Sequence, residues 1–164
     1  TSYLERARQT GMFYARKRGI HLLHDTMNLN EINYGELFRK SKSWVEKYIP
    51  QHKQDPDFVY PGGESFTQMQ ARSVNFLKSV ACKRKDETIL VVVHAGVIRG
   101  FVSYFLGLSY AENLKHKISH CYVGDFLFEG TRCVRYDELG EPSGFVKDNV
   151  VLVPWEMAAA QIVI

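Results

Sequence analysis

His94 ends a run of β-branched and apolar residues, Thr88–Val93, and is followed by Ala95-Gly96 and then by a second apolar stretch, Val97–Leu106, closed by Gly107. An imidazole at a strand-to-helix turn can hydrogen-bond or charge-pair with a phosphoryl oxygen. The first N–H groups of the following helix lack intrahelical partners and favour an anion, so the backbone at Ala95 would add to such a site. Ligands of open α/β sheets bind at the carboxyl ends of strands, where His94 falls. Arg6, between Ser2 and Thr10, carries a planar guanidinium fork that fits phosphate oxygens. Glu31, in Asn28-Leu29-Asn30-Glu31-Ile32-Asn33-Tyr34-Gly35, is a carboxylate on a loop and can serve as general acid to an oxygen leaving phosphorus. Taken singly, each has a plainer reading: a helix cap, an exposed arginine, a surface carboxylate.

These side chains must be positioned by the elements between them. Thr1–Gly19 reads as a helix capped by Ser2 and ended by Gly19, with Leu4, Ala7, Met12 and Ala15 at helical spacing. Ile20–Leu23 reads as a short strand, Asn28–Gly35 as a loop, and Glu36–Ile49 as one or more short helices stopped by Pro50. Gln51–Gly63 holds Pro56, Pro61 and two glycines and reads as a surface loop. Ser65 caps a long amphipathic helix reaching about Cys82, with Met69, Val74, Phe76, Leu77 and Val80 turned inward. The composition of Thr88–Val93 predicts a strand buried on both faces, as in a parallel sheet. Tyr122–Phe128 and Arg132–Tyr136 form a hairpin about Glu129-Gly130-Thr131, followed by a polar loop over Asp137–Asp148 and a short strand at Val150–Val153. This alternation predicts one α/β domain over residues 1–164, a three-layer α/β/α sandwich with a mainly parallel central sheet.

The bulk properties fit that class. The chain has 164 residues, 45% hydrophobic and 24% charged, with a net charge of +3. No apolar run is long enough to span a bilayer. No secretory leader opens the sequence, so a cytoplasmic location is expected. Three cysteines, Cys82, Cys121 and Cys133, do not form a disulfide framework. No CxxC occurs, and His116, His120 and Cys121 make only a weak metal set, so no metal or cofactor is expected. Arg6, Arg8, Arg16, Lys17 and Arg18 read as the solvated face of a helix, not as a nucleic-acid stripe.

Together the motifs resemble a known family. Ser2-x-Leu4-x-Arg6-Ala7-x-x-Thr10, Glu31-x-x-Tyr34-Gly35, Pro61-Gly62-Gly63-Glu64-Ser65 with Arg72, and Val92-Val93-His94-Ala95-Gly96-Val97-Ile98-Arg99 follow the order and spacing of the histidine phosphatase superfamily. The resemblance covers roughly residues 1 to 110 and is strongest to the phosphoglycerate mutase-like branch with α-ribazole and broad-specificity phosphatases. It implies a phosphoglycerate mutase-like fold and hydrolysis of small phosphorylated metabolites through a phosphohistidine. It also implies roles: Arg6 as a phosphate clamp, Glu31 as the acid, His94 as the second histidine of the pocket, with Glu64 and Ser65 mainly structural. The expected partner is a small phosphorylated substrate or free phosphate, not nucleic acid or membrane.

The departure from the family is equally specific. The family's nucleophile is the histidine of an Arg-His-Gly segment lying upstream of the part that matches Ser2, and no Arg-His-Gly occurs in these residues. A phosphoenzyme needs an in-line imidazole, so the chain as it stands is expected to be a poor phosphatase. An inactive phosphate-binding or scaffold module and a mutase-type phosphotransferase are the alternatives. The tail Ala160-Gln161-Ile162-Val163-Ile164 has the character of a buried strand. It is expected to lie parallel to Thr88–Val93, supplied by the same chain or by the partner of a swapped homodimer.

Overall fold

The computed structural model describes residues 1–20, 24–84, 86–139, 150–151 and 160–164. Its helices are α1 (Glu5–Arg18), α2 (Lys42–Tyr48), α3 (Phe66–Lys83), α4 (Ala95–Leu106) and α5 (Tyr110–Leu114), and its strands are β1 (Glu87–Leu90), β2 (Gly124–Glu129), β3 (Arg132–Glu138), β4 (Val150–Val151) and β5 (Ala160–Val163). The strands form one sheet in the order β1-β5-β2-β3-β4.

The tail strand takes a central place. β5 pairs in parallel with β1, Ile89 opposite Ile162 and Leu90 opposite Val163. On its other edge it pairs antiparallel with β2, Phe126 opposite Ile162. Its apolar sequence is therefore explained by burial: Ile162 is wholly buried and Ile164 nearly so. β5 is supplied by the chain's own residues.

Two expectations need correction. The described sheet is not mainly parallel: β1–β5 is its one parallel pairing, while β5–β2, β2–β3 and β3–β4 are antiparallel. The hairpin β2–β3 turns back at Gly130, whose φ of 60° suits a tight turn, and it brings the antiparallel half with it. Nor is Thr88–Val93 buried on both faces. The strand is Glu87–Leu90, and of its four residues only Ile89 is even half-buried. Full burial begins at Val91, whose N–H still reaches the Val163 carbonyl at 2.6 Å. Composition registered the apolar run but not its position at one end of the sheet.

Local chemistry sets the helices. Ser65 caps α3 in a reciprocal capping box with Gln68. Gly19 and Gly107 end α1 and α4 in the left-handed conformation. α3 and α4 pack together, and Met69, Leu77, Phe101, Phe126, Tyr136 and Ile162 lie in the buried core. α1 starts later than its sequence suggests: Leu4, not Ser2, holds the cap position, and no side chain caps it. The segment expected to be extended at Ile20–Leu23 lies outside the described residues except for Ile20. The same is true of the polar loop after Leu139, of Leu152–Val153, and of the tail before Ala160.

Candidate active site

His94 follows β1 at the N-cap position of α4, yet its side chain does not cap the helix. Its Nε2 lies 2.8 Å from the Ser2 hydroxyl. That hydroxyl donates to Asn30 Oδ1 at 2.9 Å, and Asn30 Oδ1 also accepts from the Tyr3 N–H at 2.9 Å. With its own proton given to Asn30, the Ser2 oxygen is left to accept, from Leu4 N–H at 3.2 Å and from His94. This places the hydrogen of neutral His94 on Nε2 and leaves Nδ1 as the atom that gains a proton when the ring charges. Burial first, then the positive charges of Arg6 and Arg72, push the His94 imidazole down to about 4. The neutral ring is 8% exposed.

Ser2 also locates the site in the fold. Its N–H donates to the Val92 carbonyl at 3.0 Å, and it bridges in parallel to Thr26. Ser2 therefore docks alongside the segment that runs from β1 to His94. Local reading made it a helix cap; its partners Asn30 and His94 are 28 and 92 positions away and are invisible to helix-capping rules.

Glu31 meets the start of α4. One carboxylate oxygen accepts from the Gly96 N–H at 3.2 Å and the other from the Ile32 N–H at 3.0 Å. The helix N-terminus expected to hold a phosphate thus holds a carboxylate here, the kind of charge it favours. Gly96 permits this approach, because a Cβ there would sit 2.1 Å from a Glu31 oxygen.

Arg72 fixes the loop that carries Glu31. Its guanidinium donates to the carbonyls of Met27, Asn28, Asn30 and Glu31 at 2.8–3.3 Å. It also pairs with both oxygens of Glu64, at 2.9 and 2.6 Å. Burial would raise the Glu64 carboxyl, but Arg72 and the Asn33 N–H outweigh it and hold it below its ordinary value. Gly35 lets the loop pack against Pro61–Gly63: its φ is 53°, and a Cβ would lie 2.0 Å from the Pro61 carbonyl. The Pro61-Gly62-Gly63-Glu64-Ser65 motif is thereby accounted for as a brace plus a helix cap.

A cavity of about 580 Å³ is lined by Leu4, Arg6, Met27, Asn28, Asn30, Glu31, Ile32, Asn33, Tyr34, Phe38, Glu64 and Arg72. Arg6 and Glu31, 25 positions apart in sequence numbering, share it. His94 and Ala95 are not among its lining residues. His94 is tied to the wall through Ser2 and Asn30, while Ala95 is exposed at the start of α4. Burial first, and then the Glu31 charge, raise the Tyr34 phenol at the rim well above its ordinary value. The arrangement offers an arginine, a carboxylate and a neutral histidine that can be charged by an incoming anion, the elements of a phosphoryl site.

The chain is similar to known proteins. The model of the histidine phosphatase superfamily (branch 1) matches residues 1–137. A metal-independent phosphoserine phosphatase of Arabidopsis thaliana is 31% identical over 105 residues, which are 60% of this chain and 44% of that protein. The chain thus spans less than half the length of this relative. Among solved structures, the native mycobacterial glucosyl-3-phosphoglycerate phosphatase superposes with a TM-score of 0.70 at 18% identity, over 84% of this chain and 72% of that one. Its complex with inorganic phosphate gives 0.69 at 21% identity, over 89% and 77%. These neighbours establish a phosphoglycerate mutase-like α/β fold, and the extent of the family match carries the assignment: the chain belongs to the histidine phosphatase superfamily.

Proposed function

We propose that the chain supplies the phosphate clamp and the acid–base group of a phosphomonoester hydrolase that acts on small phosphorylated metabolites through a phosphohistidine. The observation that carries this reading is Arg6 and Glu31 on one cavity, with His94 held behind it by Ser2 and Asn30. In the first step an imidazole nitrogen attacks phosphorus and the ester P–O bond breaks. The leaving oxygen takes the proton of Glu31. Glu31 then takes a proton from water, whose oxygen attacks phosphorus, breaks the P–N bond, releases phosphate and restores the imidazole. Arg6 and charged His94 hold the phosphoryl oxygens through both steps, with the Ala95 backbone as a further donor. The attacking imidazole belongs to an Arg-His-Gly segment, which these residues do not contain. Its place in the site is the carboxyl end of β5, where Val163 and Ile164 sit between Val91 and Gly124. The relatives are named phosphatases of phosphoserine and of glucosyl-3-phosphoglycerate, which supports a small-molecule monoester as the substrate.

Phosphate and vanadate titrated calorimetrically into this chain test the clamp. Arg6→Ala is expected to weaken both by about tenfold or more, the worth of a charge-assisted bond to phosphate. Unchanged affinity would reject Arg6. Glu31→Gln tests the acid in any form that turns over. Turnover should fall much more on an ester of an unactivated alcohol than on an aryl phosphate, whose leaving group needs little protonation. Equal losses would remove Glu31 from that role. The second reading is a phosphate-binding module without turnover. It predicts phosphate binding with no hydrolysis of either ester by this chain.

A further inference from the structure

The cavity that holds Arg6 and Glu31 has a polar floor and an apolar rim. Met27, Tyr34 and Phe38 form the rim, and they are 67%, 39% and 78% exposed. Single exposed apolar residues need no explanation. These three come from two separate loop segments and meet at one concavity. Their backbones are fixed: the Met27 carbonyl accepts from Arg72, and the Tyr34–Phe38 segment is tied down by the Glu36 N–H to Pro61 carbonyl bond at 2.9 Å. The cavity's volume, about 580 Å³, is in the range that encloses a drug-sized molecule and far exceeds the needs of phosphate.

Several polar groups of the floor are already engaged. Asn30 Oδ1 already accepts from Ser2 and Tyr3, Asn33 Oδ1 accepts from the Gly35 N–H at 2.9 Å, and Glu64 and Arg72 are engaged with each other. A flat apolar group entering here would cover Phe38, Met27 and the Tyr34 ring. Such burial is favourable in proportion to the area removed from water.

We infer that the site takes phosphomonoesters whose ester group is aromatic: Arg6 holds the phosphoryl end while Met27, Tyr34 and Phe38 sandwich the ring. This rests on the phosphate-site reading above and names its substrate class. The test is binding, so it needs no turnover. Inorganic phosphate, dihydroxypropylphosphonate and naphthylmethylphosphonate are titrated calorimetrically into the chain and into the Phe38→Ser and Met27→Ser variants. The expected result is that the naphthyl compound binds about tenfold or more tightly than the dihydroxypropyl one, and that this ratio falls toward one in both variants. Equal affinities of the two phosphonates, with phosphate still binding, would overturn the aromatic assignment and leave the phosphate site standing. A naphthyl preference that survives both substitutions would overturn the rim. Binding of none of the three would overturn the phosphate-site reading and the inference with it. A blocked phosphonomethyl-phenylalanine amide separates the sources of the ring: tighter binding than benzylphosphonate assigns it to a peptide, and equal or weaker binding to a free aryl ester.

Discussion

His94 shows how little of a residue's chemistry is fixed by its type. Its depressed titration follows from burial and from the cations Arg6 and Arg72, and it has a thermodynamic consequence. In the unfolded chain the imidazole takes up its proton near its ordinary value of about 6.5. In the folded chain it does so only near 4. Between these values the unfolded state binds more protons, so stability rises with pH. The contribution is fully present above about 6.5 and is lost as pH falls toward 4. His94→Gln should flatten that part of the profile, measured as melting temperature against pH. Phosphate binding should act oppositely on the ring, since a bound anion favours the charged form. An NMR titration of the His94 Cε1–H should move upward when phosphate is added, and an unmoved titration would place the ring outside the anion's field. Of the residues singled out from local motifs, Arg6 and Glu31 line one cavity and His94 lies against Ser2 behind it. Ser2 could not be read correctly, because its role depends on pairing with Asn30 and His94.

At the scale of elements, the loop carrying Glu31 is held less by its own sequence than by α3. Arg72 bonds four carbonyls of that loop and both oxygens of Glu64. Arg72→Ala would leave those carbonyls and a largely buried carboxylate without their partner. A loss of about 3 kcal/mol is expected from chemical denaturation, together with weaker phosphate binding as Glu31 loses its position. Arg72→Lys should recover little of either, because an ammonium cannot span the same fan of acceptors. Several helix boundaries were legible: Ser65, Gly19, Pro50 and Gly107 mark them by rules that act within a few residues, whereas the start of α1 and the whole of α5 were not. The burial of β1 was not, because a strand's position in a sheet is decided by its neighbours and not by its composition.

For the whole molecule, the telling element is β5. The apolar character of Ala160–Ile164 identified it as a strand, and its parallel pairing with β1 follows from the need to satisfy backbone groups beside Val91. The antiparallel pairing with β2 could not be read from the strand alone. Ile162 lies wholly buried between β1 and β2. Ile162→Ala should cost about 2–5 kcal/mol, by loss of transfer energy and by the cavity left behind. An effect under about 1 kcal/mol by urea denaturation would show that the strand is not part of the cooperative core.

The placement of β5 also sets an order of events in folding. β1 and β2 are not neighbours; each pairs with β5, the last of the described strands in sequence. Until β5 docks, none of the other described strands joins β1 to the β2–β3 hairpin. The closing contacts link residues more than seventy positions apart on the β1 side, Glu87 with Ala160. Such long-range pairing closes a large loop before it gains any hydrogen bond, and it slows folding relative to helix formation. The slow phase of refolding should therefore belong to the docking of β5. By this sequence of events the α3–α4 pair and the hairpin form early, and the junction of β1 with the hairpin through β5 is the part that matures last.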